Sequence, residues 1–257
     1  MRPSLQLVAW VLVASTPALA EPSVTLPSGT IAATVTTEIN ASDDVMGSPS
    51  SIAPDLSIGA TDDLSFSLIH STFGTTGFRG GAGLGFCVAD ACQYPYNNAG
   101  LETTYSVTRG RIASGVSAGF YGTNIARRWF AAKLGGRVKA TLADVTIASN
   151  PSVFIALGER DGVDGNRDRL YLPVSAMVRL AKPASVGLAT GFKAALDDVS
   201  GTYEIAAGAL FQYTFSPAWS AGASWVHGKI VGGDMTLPAS ASGIDYRALQ
   251  LWLTLTR

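Results

Sequence analysis

Between Thr202 and Lys229 the chain alternates with a period of two. Tyr203, Ile205, Ala207, Ala209, Phe211, Tyr213 and Phe215 fall on one side. Thr202, Glu204, Ala206, Gly208, Gln212, Thr214 and Ser216 fall on the other, with Leu210 the apolar exception. Ser216-Pro217-Ala218 interrupts the pattern, and Trp219, Ala221, Ala223 and Trp225 resume it. A period of two belongs to a β-strand, whose side chains point to opposite faces in turn. The apolar face carries rings toward its ends and small aliphatics between them. That suits a strand immersed in lipid, because aromatic rings favour the two membrane–water interfaces. Lipid offers the backbone no hydrogen-bond partner, so both edges of such a strand must be paired. Closure into a barrel is the expected solution.

The same alternation recurs along the chain, at 31–40, 52–60, 64–68, 101–107, 112–123, 129–142, 153–157, 170–180, 186–196 and 249–255. With the opening pair this predicts an all-β, antiparallel transmembrane barrel of about twelve strands. Tight turns are expected at Asp62-Asp63, Arg109-Gly110-Arg111, Ser149-Asn150-Pro151, Lys182-Pro183-Ala184 and Ser216-Pro217-Ala218, where Pro, Gly and Asp cluster. Longer stretches at 43–50, 73–100, 161–168 and 232–243 fall between them. Short periplasmic turns and longer outer loops follow that rhythm, with Asp62, Asn150 and Pro217 on the periplasmic side. The stretch 73–100 is either an outer loop or a constriction folded inward. Residues 21–28 form a polar lead that is loose or tucked into the lumen.

The start of the chain is not part of this pattern. Arg2, the apolar run 7–14 and Ala18-Leu19-Ala20 read as a secretory signal peptide, 1–20, leaving 21–257 as a single barrel domain. No later segment approaches the ~18 apolar residues of a membrane helix. Yet mean hydropathy is +0.26 and only 14% of residues are charged, the combination that dispersed strands produce. A net charge of −1 argues against nucleic acid as a partner. In an exported chain, Cys87 and Cys92 read as a disulfide stapling a loop.

The charges that fall on inward parity are the candidate site. Lys133, Arg137 and Lys139 share one strand; Arg169 and Arg179 share another, and Lys193 lies on the next. The inward acids are Glu38, Asp55, Glu102 and Glu204, expected to face the bases across the lumen. A charge on the lipid face near mid-bilayer costs ~2–4 kcal/mol, so charge and inward parity coincide for a physical reason. These ten residues are expected to line a water-filled path for small polar or anionic solutes. The alternatives are a closed structural or adhesion barrel and an outer-membrane lipid-modifying enzyme.

Other motifs carry less. Gly115-Val116-Ser117-Ala118-Gly119 matches the G-x-S-x-G pattern, but it lies within an alternating strand and lacks the strand-to-helix turn that exposes a nucleophile. Neither catalysis nor a cofactor or metal is expected. Gly80 to Gly85 lacks the lysine and βαβ context of a phosphate loop. Asp161, Asp164, Asn166 and Asp168 offer oxygen ligands at a spacing unlike an EF-hand.

Signal peptide, aromatic-girdled alternation and short–long loops together resemble the bacterial outer-membrane β-barrels, across 21–257. Gly165-Asn166-Arg167-Asp168 through Leu170-Tyr171-Leu172-Pro173-Val174, with the turn at Lys182-Pro183, is similar to porin-like channels of aromatic-degradation pathways. The resemblance implies an outer-membrane location, contact with lipid and lipopolysaccharide, and insertion by the barrel assembly machinery. One departure is the ending Thr254-Leu255-Thr256-Arg257, where such barrels usually carry an aromatic residue. Trp252 is the nearest, on inward parity.

Overall fold

The computed structural model describes residues 22–41, 50–71, 73–74, 77–78, 85–88, 95–96, 98–160, 165–233 and 247–257. Residues 1–20, read above as a signal peptide, lie outside the described residues, as do Cys92, Asp161, Asp164 and most of the glycine run 80–85. The strands are β1 (Ile31–Asn40), β2 (Ser50–Gly59), β3 (Leu64–Ile69), β4 (Phe73–Gly74), β5 (Gly77–Phe78), β6 (Phe86–Cys87), β7 (Ala99–Thr108), β8 (Ile112–Asn124), β9 (Trp129–Leu142), β10 (Val145–Ser149), β11 (Ser152–Ala156), β12 (Arg169–Arg179), β13 (Ala184–Ala195), β14 (Glu204–Ser216), β15 (Trp219–Gly232) and β16 (Arg247–Thr256). One helical turn, α1 (Val199–Thr202), is capped by the Asp198 carboxylate, which accepts from the Gly201 amide.

Every strand pairing among the described residues is antiparallel, and β1 pairs with both β2 and β16, which closes the ring. β10 and β11 keep one register between β9 and β12 and are halves of a single stave. β6 is a two-residue addition beside β2. Twelve staves therefore close the barrel.

Burial is inverted relative to a protein packed around an apolar core. The largest fully buried side chains include Lys133, Gln250 and Glu38, whereas Leu101, Leu134 and Leu188 are 64%, 56% and 71% exposed. An apolar belt turned outward is favourable only where the surroundings are apolar. Phe66, Tyr105, Tyr213, Phe215 and Trp219 ring the short-turn end. Phe120 stacked on Phe130 and Phe192 on Tyr203 ring the other. With Phe211 outward and Gln212 inward, Phe211→Arg is expected to cost roughly 2–4 kcal/mol in lipid and Gln212→Arg far less. Unfolding titrations in lipid vesicles measure both, and equal losses would contradict the facing.

The seventh stave corrects the sequence reading. No turn lies at Ser149-Asn150-Pro151: the chain turns at Ala143-Asp144, with Ala143 at φ 50°, and Asn150 is buried in the wall. Proline cannot donate to a ladder, which normally confines it to turns and sheet edges. Here its neighbours carry the register across the gap. The Pro151 carbonyl still accepts the Gly136 amide at 2.8 Å, and the Ser149 hydroxyl donates to the Pro173 carbonyl at 2.7 Å. Asn150 is thus no periplasmic marker, and the tight turn at that place is 143–144.

Candidate functional site in the barrel interior

The inward residues are positioned by register. Along one row, Ser67 faces Glu102, Glu102 faces Gly119, Gly119 faces Lys133, and Lys133 faces Phe154. Gly119 contributes no side chain, so Lys133 reaches over it to Glu102, with Nζ 2.5 Å from Oε2. Arg137, four residues further along β9 on the same face, pairs with the other carboxylate oxygen, and the Tyr121 hydroxyl donates to Oε2 at 2.7 Å. Tyr121 fits because Gly100 lies beneath it: a Cβ there would fall 2.1 Å from the ring. Lys133 Nζ also sits 5.5 Å and 5.8 Å from the ring centres of Tyr121 and Phe154. This knot is almost fully buried.

The expectation that acids and bases face each other across the lumen is therefore corrected. Glu102 lies beside its bases on the same wall, and Lys193 pairs with its cross-strand neighbour Glu204 at 2.6 Å. Cross-strand partners are about 5 Å apart, closer than any partner across a bore, and pairing follows proximity. Glu38 accepts from the Ser51 hydroxyl at 3.1 Å and from the Gln250 side-chain amide at 3.3 Å. Asp55 accepts from the His70 amide at 2.7 Å, the Ser71 amide at 3.1 Å and the Ser71 hydroxyl. Arg169 is buried, its guanidinium 6.0 Å from the Trp129 ring centre. Arg179 is exposed at the short-turn rim. Lys139 borders two interior cavities, of about 420 Å³ and 260 Å³.

Two segments narrow the bore. Residues 22–30 fold over the inner faces of β2, β3, β7 and β8 at the short-turn end. The Thr25 hydroxyl donates to the Asp62 carbonyl at 2.7 Å, the Leu26 amide to Ser65 at 2.9 Å, and the Gly110 amide to the Pro22 carbonyl at 3.0 Å. Of the two readings of the polar lead, the tucked one holds. Leu26 borders both cavities. Nothing in its hydropathy marks Leu26 as an interior residue, since it precedes the first alternating strand.

The second segment begins where β3 ends. At His70 the chain leaves the wall on the Asp55 hydrogen bonds, and the β4–β5 hairpin lies against β12 and β13 on the opposite side of the ring. Twelve staves about 4.8 Å apart and tilted about 40° make a ring roughly 24 Å across. The chain folds back on itself in the hairpin, with Phe73 opposite Phe78 and Gly74 opposite Gly77. It returns to the wall at β6, where Ser51 pairs with Cys87. Cys87 therefore belongs to a strand, against the sequence reading that placed both cysteines in irregular chain. The inward choice for part of 73–100 was legible only as an alternative.

The remaining motifs have structural explanations. A Cβ at Gly115 would meet the Tyr105 carbonyl at 2.4 Å, and one at Gly119 the Leu101 carbonyl at 2.7 Å, so close strand approach accounts for the glycines around Ser117. Ser117 is buried on β8, and His227 lies on β15, across the ring. Asp168 accepts from Arg160 and the Ala156 backbone amide, and the Asn166 side-chain Nδ2 donates to the Phe130 carbonyl. At the same rim, hydrogen bonding from Arg167 holds the Asp197 carboxyl below the usual carboxylate range.

No family model and no curated protein matches this sequence. Among solved structures the barrel is similar to the NanC porin, at TM-score 0.58 and 6% identity, covering 88% of this chain and 98% of that one. It is similar to the KdgM porin at 0.54 and 8%, covering 87% and 98%. An outer membrane channel from Pseudomonas putida F1 gives 0.51 and 12%, covering 94% and 98%. At such identities the likeness is one of fold. The chain has the closed antiparallel barrel of the outer-membrane porins and channels.

Proposed function

We propose that this protein is a porin-like channel of the bacterial outer membrane, through which small polar solutes, anions in particular, diffuse passively. The observation that carries the reading is an interior holding two cations, Lys139 and Arg169, for which the described residues supply no carboxylate, with Lys139 bordering both cavities. The inward bases outnumber the inward acids by six to four, so the field along the path is positive on balance. Low-dielectric walls focus that field, which favours anions more than the same charges on an open surface would. The fold it shares with porins supports a passive path, and its outward apolar belt supports contact with outer-membrane lipid and lipopolysaccharide. Export through removal of 1–20, insertion by the barrel assembly machinery and a Cys87–Cys92 disulfide belong to the same reading.

The test is conductance of the purified barrel in a planar bilayer across a salt gradient. The expected reversal potential reports anion preference, lessening at high salt as screening shortens. Lys139→Glu is expected to weaken or reverse it. Conductance with an unchanged reversal potential would remove Lys139 from the path. A second reading, a closed structural barrel, is favoured by the lead at one mouth and the hairpin crossing the bore. Absence of any conductance would select it.

A further inference from the structure

We infer that the smaller interior cavity, about 260 Å³, is a site for a free inorganic oxyanion, hydrogen phosphate by its chemistry, whose binding ties the lead down over the short-turn mouth. The binding stands on the cavity alone. Its effect on current rests on the channel reading.

Asn150 carries the inference. It is 7% exposed, it borders the cavity, and its carboxamide has no hydrogen-bond partner among the described residues. Buried amides are almost always matched. The wall itself does not need this one, because Ser149 and the Pro151 carbonyl hold the register on either side of it. The residue that misled the sequence reading is thus a polar group placed inward at a break between two strands.

The sign of the ligand follows from β9. Arg137 and Lys133 share the single carboxylate of Glu102. Lys139, two residues beyond Arg137 on the same face, borders the cavity with it. No acidic side chain among the described residues lines this space, and Ser65 and Ser67 add hydroxyls to it. Its volume lies below the roughly 300 Å³ at which sites for organic ligands begin, which suits an inorganic ion. A carboxamide donates and accepts. Sulfate only accepts and leaves the Asn150 oxygen unmatched, whereas the P–OH of hydrogen phosphate fills it.

The lead enters as the remaining wall. Ser23, Thr25 and Leu26 border the same cavity, so the ion is enclosed only when the lead is seated. A ligand that binds the seated state stabilises seating by linkage. The hydrogen bonds of the lead to Asp62 and Ser65 then gain a second hold on the barrel.

The experiment is isothermal titration of the detergent-folded barrel with inorganic phosphate, sulfate and glycerol 3-phosphate. Phosphate is expected to bind, with sulfate about fivefold weaker, the factor of one hydrogen bond. Asn150→Ala is expected to bring phosphate down to the level of sulfate. Lys139→Met weakens both ions about tenfold and serves alone if Asn150→Ala does not fold. Glycerol 3-phosphate separates a free ion from an ester, and is expected to bind more weakly than phosphate. Deletion of 22–27 is expected to weaken phosphate as well, and phosphate to lower bilayer conductance in the parent but not in the deletion. No saturable phosphate heat, sulfate or the ester binding as tightly as phosphate, or variants indistinguishable from the parent would overturn the site. Unchanged phosphate binding in the deletion would overturn the tie to the lead. Binding without any conductance would instead overturn the channel and leave the site standing.

Discussion

Glu102→Gln is expected to lower the unfolding free energy of the barrel by about 3–5 kcal/mol, the cost of leaving a buried charge without its partner. Lys133 is 2% exposed and has Glu102 as its counter-charge, and Arg137 shares the same carboxylate. The amide can accept a hydrogen bond but cannot neutralise either cation. Glu102→Leu combined with Lys133→Met removes both members of the buried pair and is expected to recover at least half of the loss, because desolvating the charges costs about as much as their attraction returns. Urea unfolding in lipid vesicles measures both. A loss below about 1 kcal/mol for Glu102→Gln would place the pair in the class of exposed, screened ion pairs. The same geometry explains why selectivity should be altered at Lys139 rather than at Lys133 or Arg137. Glutamates at those two positions would gather three carboxylates in one buried knot.

Deletion of residues 22–27 is expected to raise single-channel conductance by about twofold or more, since the narrowest part of a pore limits its current. The lead occupies the short-turn mouth, and Leu26 stands between the two cavities it borders. Its removal forfeits the hydrogen bonds to Asp62, Ser65 and Gly110 and leaves the Gly29 and Thr30 backbone pairing with Gly59 intact. Stability therefore falls modestly, and the twelve-stave ring remains. Unchanged conductance would locate the constriction at the hairpin that crosses from Ser71 to β12 and β13. Recordings from the deletion and from Leu26→Gly side by side separate loss of the whole lead from loss of one side chain.

The alternation at 202–229, and its echoes from Ile31 to Leu255, carried the fold: facing, strand number and antiparallel order all follow from a period of two in a chain that must hide every amide from lipid. Inward parity likewise placed Lys133, Glu102 and Glu204 on the polar side, because a charge is expensive on the other. Which charge neutralises which was not legible. Glu102 meets Lys133 because the closing register sets Gly119 between them, and register is a property of paired strands, not of either strand alone. Asn150-Pro151 misled for a related reason. A proline reads as a turn unless its neighbours hold the register on both sides, and only the finished sheet supplies those neighbours. The lead, the crossing hairpin and the two interior cavities have no period at all. Their places depend on single hydrogen bonds and on the space left by glycines such as Gly100, which exist only once the ring has closed.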